Sequence, residues 1–173
     1  ALTFQQRGEP RVSMIFLGDA ATEEGVFHES MNFASLLKLP VVFFVENNLY
    51  SVYTHLRDRQ PQRPLTAYAK AHEIPAASID GNDVLAVRKV TQEFVERARQ
   101  NEGPSLIVAD TYRWREHCGP SYDNDLGYRT VSEFKDWENL CPVKKLREYL
   151  VSLGFLSANI EATLTSTIET EIN

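Results

Sequence analysis

Gly18-Asp19-Ala20-Ala21-Thr22-Glu23-Glu24-Gly25, set between the apolar runs Val12-Ser13-Met14-Ile15-Phe16-Leu17 and Val41-Val42-Phe43-Phe44-Val45, decides the fold of this chain. Both runs are short and closed by turn-forming residues, Gly18-Asp19 after the first and Glu46-Asn47-Asn48-Leu49-Tyr50 after the second, so each reads as a buried strand. Between them Val26, Phe27, Ser30, Met31, Phe33, Ala34 and Leu37 recur at three- and four-residue steps, the spacing of one helix face. Two strands joined by a helix lie parallel with a right-handed crossover, because the strand twist packs the helix back only that way. The carboxyl ends of both strands then share one edge of the sheet, where open parallel sheets bind ligands, and Asp19 meets Asn48 there. A carboxylate, an amide oxygen and a main-chain carbonyl suit a hard cation such as Mg²⁺, which completes its octahedron with water and phosphate oxygens. The reading is a metal-bridged diphosphate site. Taken singly, Asp19 is equally a helix cap and Asn47-Asn48 an ordinary turn.

Outward from this unit the alternation continues. Residues 51–64 are polar, with several Arg and two Pro, and read as a solvated surface loop; His55 with Arg57, Arg59 and Arg63 is the other possibility, an anion site. A short helix over 67–73 and a strand within 74–79 lead to the turn Asp80-Gly81-Asn82-Asp83, with Asn82 as the expected N-cap. Residues 83–103 are helical, with Val84, Val87, Val90, Phe94 and Ala98 on the core face. Gly103-Pro104 ends that helix, and Ser105-Leu106-Ile107-Val108-Ala109-Asp110-Thr111 is continuous enough in apolar character for a central parallel strand. Strand and helix alternating throughout give a three-layer α/β/α domain with a mostly parallel sheet. Residues 1–173 form one domain, an α/β core over 1–140 followed by C-terminal helices over 141–173. Of these last, one runs to Ser152 behind Pro142, and one spans 157–173 with Ile160, Leu164, Ile168 and Ile172.

Composition agrees with a globular enzyme part: 173 residues, 43% hydrophobic and 24% charged. A net charge of −6 without a basic run argues against nucleic acid as a partner, and no apolar stretch is long enough to span a bilayer. Cys118 and Cys141 are two, far apart and in no metal-binding spacing, so reduced thiols and a cytoplasmic or mitochondrial-matrix location are expected.

Gly18-Asp19 and Glu46-Asn47-Asn48 together resemble the thiamine-diphosphate motif, Gly-Asp-Gly followed by Asn-Asn. More narrowly, Gly25-Val26-Phe27-His28-Glu29-Ser30-Met31-Asn32-Phe33-Ala34, then Ile79-Asp80-Gly81-Asn82-Asp83 and Thr111-Tyr112-Arg113, resemble the α subunit of the E1 component of 2-oxoacid dehydrogenases, the pyruvate, branched-chain 2-oxoacid and acetoin dehydrogenase group. The resemblance implies a partial thiamine-diphosphate-binding fold and a fragment truncated at both ends. It implies that the side chains of Asp19 and Asn48 and the main-chain carbonyl of Tyr50 bind Mg²⁺, and that Gly18, Ala20 and Ala21 lie along the diphosphate. His117, on a mobile loop, faces cofactor and substrate as the catalytic residue.

Implied too are decarboxylation of a 2-oxoacid, or acetoin cleavage, with acyl transfer to a lipoyl group on an E2 protein. The partner is an E1 β subunit in an α2β2 heterotetramer, which supplies the Glu that activates the cofactor, so the isolated chain is inactive. Two departures stand out. Ala20 replaces the third motif Gly, so either the turn avoids positive φ or cofactor binding is altered; the second outcome makes the chain a non-catalytic subunit serving assembly. Cys118 replaces a Ser that some members phosphorylate, so that regulation is absent here.

Overall fold

The segment Val41–Asn47 is buried everywhere except Glu46, because it is an interior strand with helices over both faces. The computed structural model describes residues 1–172; Asn173, the last residue of the expected final helix, lies outside them. In chain order the helices are α1 (Leu2–Gln6), α2 (Gly25–Leu36), α3 (Leu56–Arg59), α4 (Thr66–Ala71), α5 (Val84–Arg99), α6 (Val131–Glu138), α7 (Pro142–Ser152) and α8 (Ala158–Ile172). The strands are β1 (Ser13–Gly18), β2 (Val41–Asn47), β3 (Tyr50–Ser51), β4 (Thr54–His55), β5 (Ala76–Asp80) and β6 (Ser105–Asp110), with 3-10 turns over Asp19–Glu23 and Asn124–Leu126.

The main sheet has the order β1-β2-β6-β5, all parallel, with β6 in the interior position its sequence predicts. Phe27, Met31 and Ala34 of α2 and Ala69 of α4 pack with Val41, Phe43, Val45, Leu106 and Val108 on one face. Phe94 of α5 packs with Val42, Phe44, Ile107 and Ala109 on the other. Alternate residues of β2 thus serve opposite layers, as the period of a strand requires, and the architecture is the expected α/β/α sandwich.

Four local readings are corrected. Asp83, not Asn82, caps α5, its Oδ1 accepting from the amides of Leu85 and Ala86 at 3.0 Å. Asn82 is instead buried, with its Oδ1 accepting from Thr111 Oγ1 at 3.0 Å, because Gly81 brings that turn hard against the end of β6. A Cβ at Gly81 would fall 2.9 Å from the Asp110 carbonyl oxygen, so the close approach requires glycine. Val84 is exposed: the core stripe of α5 begins one turn later, at Val87. Residues 51–64 hold the β3–β4 hairpin and α3 rather than a plain loop. Finally, α1 and α6 were not foreseen. The first is too short to show periodicity and is tied down by Gln5 Nε2, which donates to the Leu37 carbonyl at 3.0 Å. The second carries a readable signal, Thr130-Val131-Ser132-Glu133, a capping-box pattern in which Thr130 Oγ1 accepts from the Glu133 amide at 3.1 Å.

Candidate functional site

Parallel pairing of Gly18 with Glu46 and of Asn47 with Asp110 brings the carboxyl ends of β1, β2 and β6 to one rim. Asp19, Asn48 and Thr111 are therefore the residues that leave the sheet there, and β3 packs against the 3-10 turn that Asp19 opens.

Asp19 is 1% exposed. Its carbonyl accepts from Thr22 Oγ1 at 2.6 Å, which tightens the turn. A buried carboxylate demands a cation, and the one present is Arg59, whose guanidinium donates to both Asp19 Oδ2 and Glu23 Oε1. Gln60 Nε2 braces the same turn, donating to Glu23 Oε1 at 2.8 Å and to Thr22 Oγ1 at 3.2 Å. Of the basic residues expected on a solvated loop, Arg59 binds internal anions, whereas Arg57 is exposed and Arg63 lies over Tyr68. Ala20 sits inside the 3-10 turn and is not among the residues of positive φ, so the turn avoids the conformation that would need glycine.

His55 Nδ1 accepts from the Arg57 amide at 3.0 Å and so caps α3 in its neutral form. Burial, helped by the neighbouring Arg57 charge, holds its pKa below the ordinary 6.5. Below pH 6.5 the unfolded chain takes up a proton that the folded histidine resists, so this segment is fully stable above 6.5 and loses stability as pH falls through the lower folded value. An NMR titration of the His55 ring is expected to show a midpoint under 6.5; a midpoint above it contradicts the buried cap.

On the second strand, Asn47 and Asn48 divide their work. Asn47 is buried and its Nδ2 donates to Asp110 Oδ1 at 2.8 Å, locking β2 to β6. Asn48 Oδ1 accepts from the Tyr50 amide at 3.0 Å, which leaves its second lone pair for another donor or a cation. Leu49 and Val52 adopt φ of +71° and +53°, bracketing Tyr50–Ser51 with two left-handed residues. The Tyr50 ring is buried, and its hydroxyl donates to Glu133 Oε1 at 2.8 Å. Burial first, and the Glu133 carboxylate second, push the Tyr50 pKa upward, so the phenol stays protonated.

His117 is exposed on the loop that follows β6. That loop is clamped on both sides of it. Arg113 Nη2 donates to the Val52 carbonyl at 2.7 Å, tying the loop to the β3–β4 hairpin. Arg129, 4% exposed, donates to the Arg113 and Trp114 carbonyls and pairs with Asp123 Oδ1 at 2.5 Å, while Tyr128 donates to Asp123 Oδ2 at 2.8 Å. The stretch 119–128 is thus pinned by a buried ion pair.

The donors at the rim are oxygens only: the Asp19 carboxylate, the Asn48 amide and the main-chain carbonyls of the β3 turn. Among the described residues no group of three His, Cys, Asp or Glu gathers as a metal cluster, and the oxygens of the rim are of the mixed kind that suits a hard cation. The buried Asp19 carboxylate, the oxygen donors beside it, and open space where a Cβ at Gly18 would stand fit such an ion beside a phosphate ligand once Arg59 gives way. Reading the sequence missed Arg59 as the partner of Asp19, Glu133 as that of Tyr50, and the Arg129–Asp123 clamp. These pair residues 40, 83 and 6 positions apart, and only the first two pairs depend on tertiary packing that no local pattern announces.

Comparison with known proteins agrees with this geometry. The family model described as "Dehydrogenase E1 component" matches residues 1–173. The α subunit of 3-methyl-2-oxobutanoate dehydrogenase from Mycobacterium tuberculosis is 38% identical over 96% of this chain and 45% of its own length. The α subunit of the pyruvate dehydrogenase E1 component is 36% identical in Porphyra purpurea and 34% in Acholeplasma laidlawii, over 97% and 100% of this chain and 48% and 50% of those proteins. The chain spans about half the length of these relatives. A transketolase from Campylobacter jejuni superposes with a TM-score of 0.51 at 20% identity, over 58% of this chain and 15% of that one, a likeness of fold alone. A parallel sheet with Asp19 and Asn48 on its carboxyl rim, matched from end to end by one family model, places this chain in the dehydrogenase E1 component family, among sequences similar to its α subunits.

Proposed function

We propose that the protein containing this chain decarboxylates a 2-oxoacid, using thiamine diphosphate and Mg²⁺, and passes the acyl group to a lipoyl group on an E2 protein. The observation that carries this reading is the buried Asp19 carboxylate on the same rim as the Asn48 amide, within a chain that the E1 family model covers in full. Asp19, Asn48 and the Tyr50 carbonyl would hold the ion; Gly18, Ala20 and Ala21 would lie along the diphosphate, small enough for its oxygens to approach main-chain amides. When bound, the cofactor supplies the nucleophilic carbon and the electron sink that decarboxylation requires.

The chain's own contribution is to anchor and to shield. His117, exposed on the clamped loop, would be the group that donates a hydrogen bond or exchanges a proton at the rim. The missing acid comes from an E1 β subunit, so the site is completed at an α–β interface of an α2β2 assembly. Its compartment is cytoplasmic or the mitochondrial matrix, where the free thiols Cys118 and Cys141 stay reduced. Ala20 is not among the residues of positive φ, which supports a turn that needs no glycine there.

The test is reconstitution of the full-length α subunit with its β partner, thiamine diphosphate and Mg²⁺ against a panel of 2-oxoacids and acetoin. Turnover of at least one compound, dependent on both subunits and on both cofactors, is expected. Cofactor binding by calorimetry without any turnover overturns the catalytic reading, and no binding at all returns the scaffold.

A further inference from the structure

We propose that Arg59 is an ionic latch on the cation site: its guanidinium holds the Asp19 carboxylate until a divalent ion displaces it, and then rests on Glu23. This rests on Asp19 being the metal ligand, as proposed above. Arg59 comes from α3, 40 residues along the chain, yet its side chain is 10% exposed and bridges two carboxylates. The two are unequal. Asp19 has a side-chain exposure of 2%, whereas Glu23 has 32%. A buried anion without a partner is costly, so something positive must stand beside Asp19 whenever the ion does not.

Arg59 also faces the two groups that decide where it goes. Like charges repel strongly at hydrogen-bond range in a site this dry, so a divalent cation arriving at Asp19 drives the guanidinium away. Glu23, still within its reach, receives it at a place where water shares the charge. Gln60 already holds the Glu23 carboxylate in position through its Nε2 at 2.8 Å. Arg59 is therefore a positioning residue with two rest points, and exchange between them sets the apparent affinity for the ion, since a site that is only fractionally open binds by that fraction more weakly.

The two posts give opposite predictions. Removing the latch, Arg59→Gln, is expected to tighten divalent-ion binding about fivefold or more, the low end of a coupling between linked sites. Removing the outer rest point, Glu23→Gln, leaves the guanidinium on Asp19 and is expected to weaken binding by a similar factor. The measurement is a manganese titration of the assembled full-length enzyme with thiamine diphosphate, read as loss of the free Mn²⁺ paramagnetic resonance signal, with Asp19→Asn as the reference. If Arg59→Gln fails to fold, Arg59→Lys, which reaches one carboxylate at a time, takes its place. Unchanged or weaker binding in the Arg59 variant, with Asp19→Asn still abolishing it, overturns the latch while sparing the site. Binding that ignores Asp19→Asn overturns the site reading, and the latch with it.

Discussion

Asp19→Asn in the complete enzyme is expected to lower kcat/KM for its 2-oxoacid by about three orders of magnitude, as several kcal/mol of metal-dependent stabilisation vanish. The substitution is chosen because it subtracts only charge. An amide oxygen in the same place still accepts from Arg59, and Arg59 keeps Glu23 as a partner, so the 3-10 turn survives. Melting of the variant checks that point, and thiamine diphosphate calorimetry in Mg²⁺ should show the loss in binding. Activity within tenfold of the parent removes Asp19 from the metal site.

The second large effect is one of architecture. Arg129→Met is expected to cost about 3–5 kcal/mol, the range for stripping one member from a buried ion pair. Methionine replaces much of the volume over the rings of Tyr112, Tyr128 and Phe134, so the loss isolates the charge. It strands the Asp123 carboxylate, 3% exposed, with only Tyr128 and a more distant Arg113 for company. It also releases the carbonyls of Arg113 and Trp114, the chain segment that leads to His117. Hydrogen exchange should accelerate across 113–123, and chemical denaturation gives the energy. A cost below about 1 kcal/mol would show that the pair is no stronger than one at the surface.

What the sequence made legible was whatever local periodicity and turn chemistry control. The run Val41-Val42-Phe43-Phe44-Val45 can only be an interior strand, and its neighbour in the sheet followed from the helix between them. From that pairing alone Asp19 and Asn48 had to share a rim. The C-terminal stretch was harder, because α6 begins at a capping box but has no buried residue to mark its face. Hidden altogether were contacts fixed by distance in space. Arg59 reads as one more charge among Arg57, Asp58 and Arg63, and only the return of α3 across the 3-10 turn turns it inward. Asn82 and Asp83 show the same limit at small scale: both residue types cap helices, and which one does so was decided by Gly81 pressing the turn onto β6.

Tyr50 stands between two residues whose backbones ordinary side chains resist, one of them the β-branched Val52. Each such bend stores about 1–2 kcal/mol, held in place from outside: Asn47 steadies Leu49 at 3.3 Å, and Arg113 grips the carbonyl of Val52. The hairpin therefore behaves like a sprung arch on two abutments. Knocking away Arg113, some sixty positions downstream, lets the arch relax and shifts the Tyr50 carbonyl, so damage far along the chain would register at the oxygen proposed as the cation's third ligand.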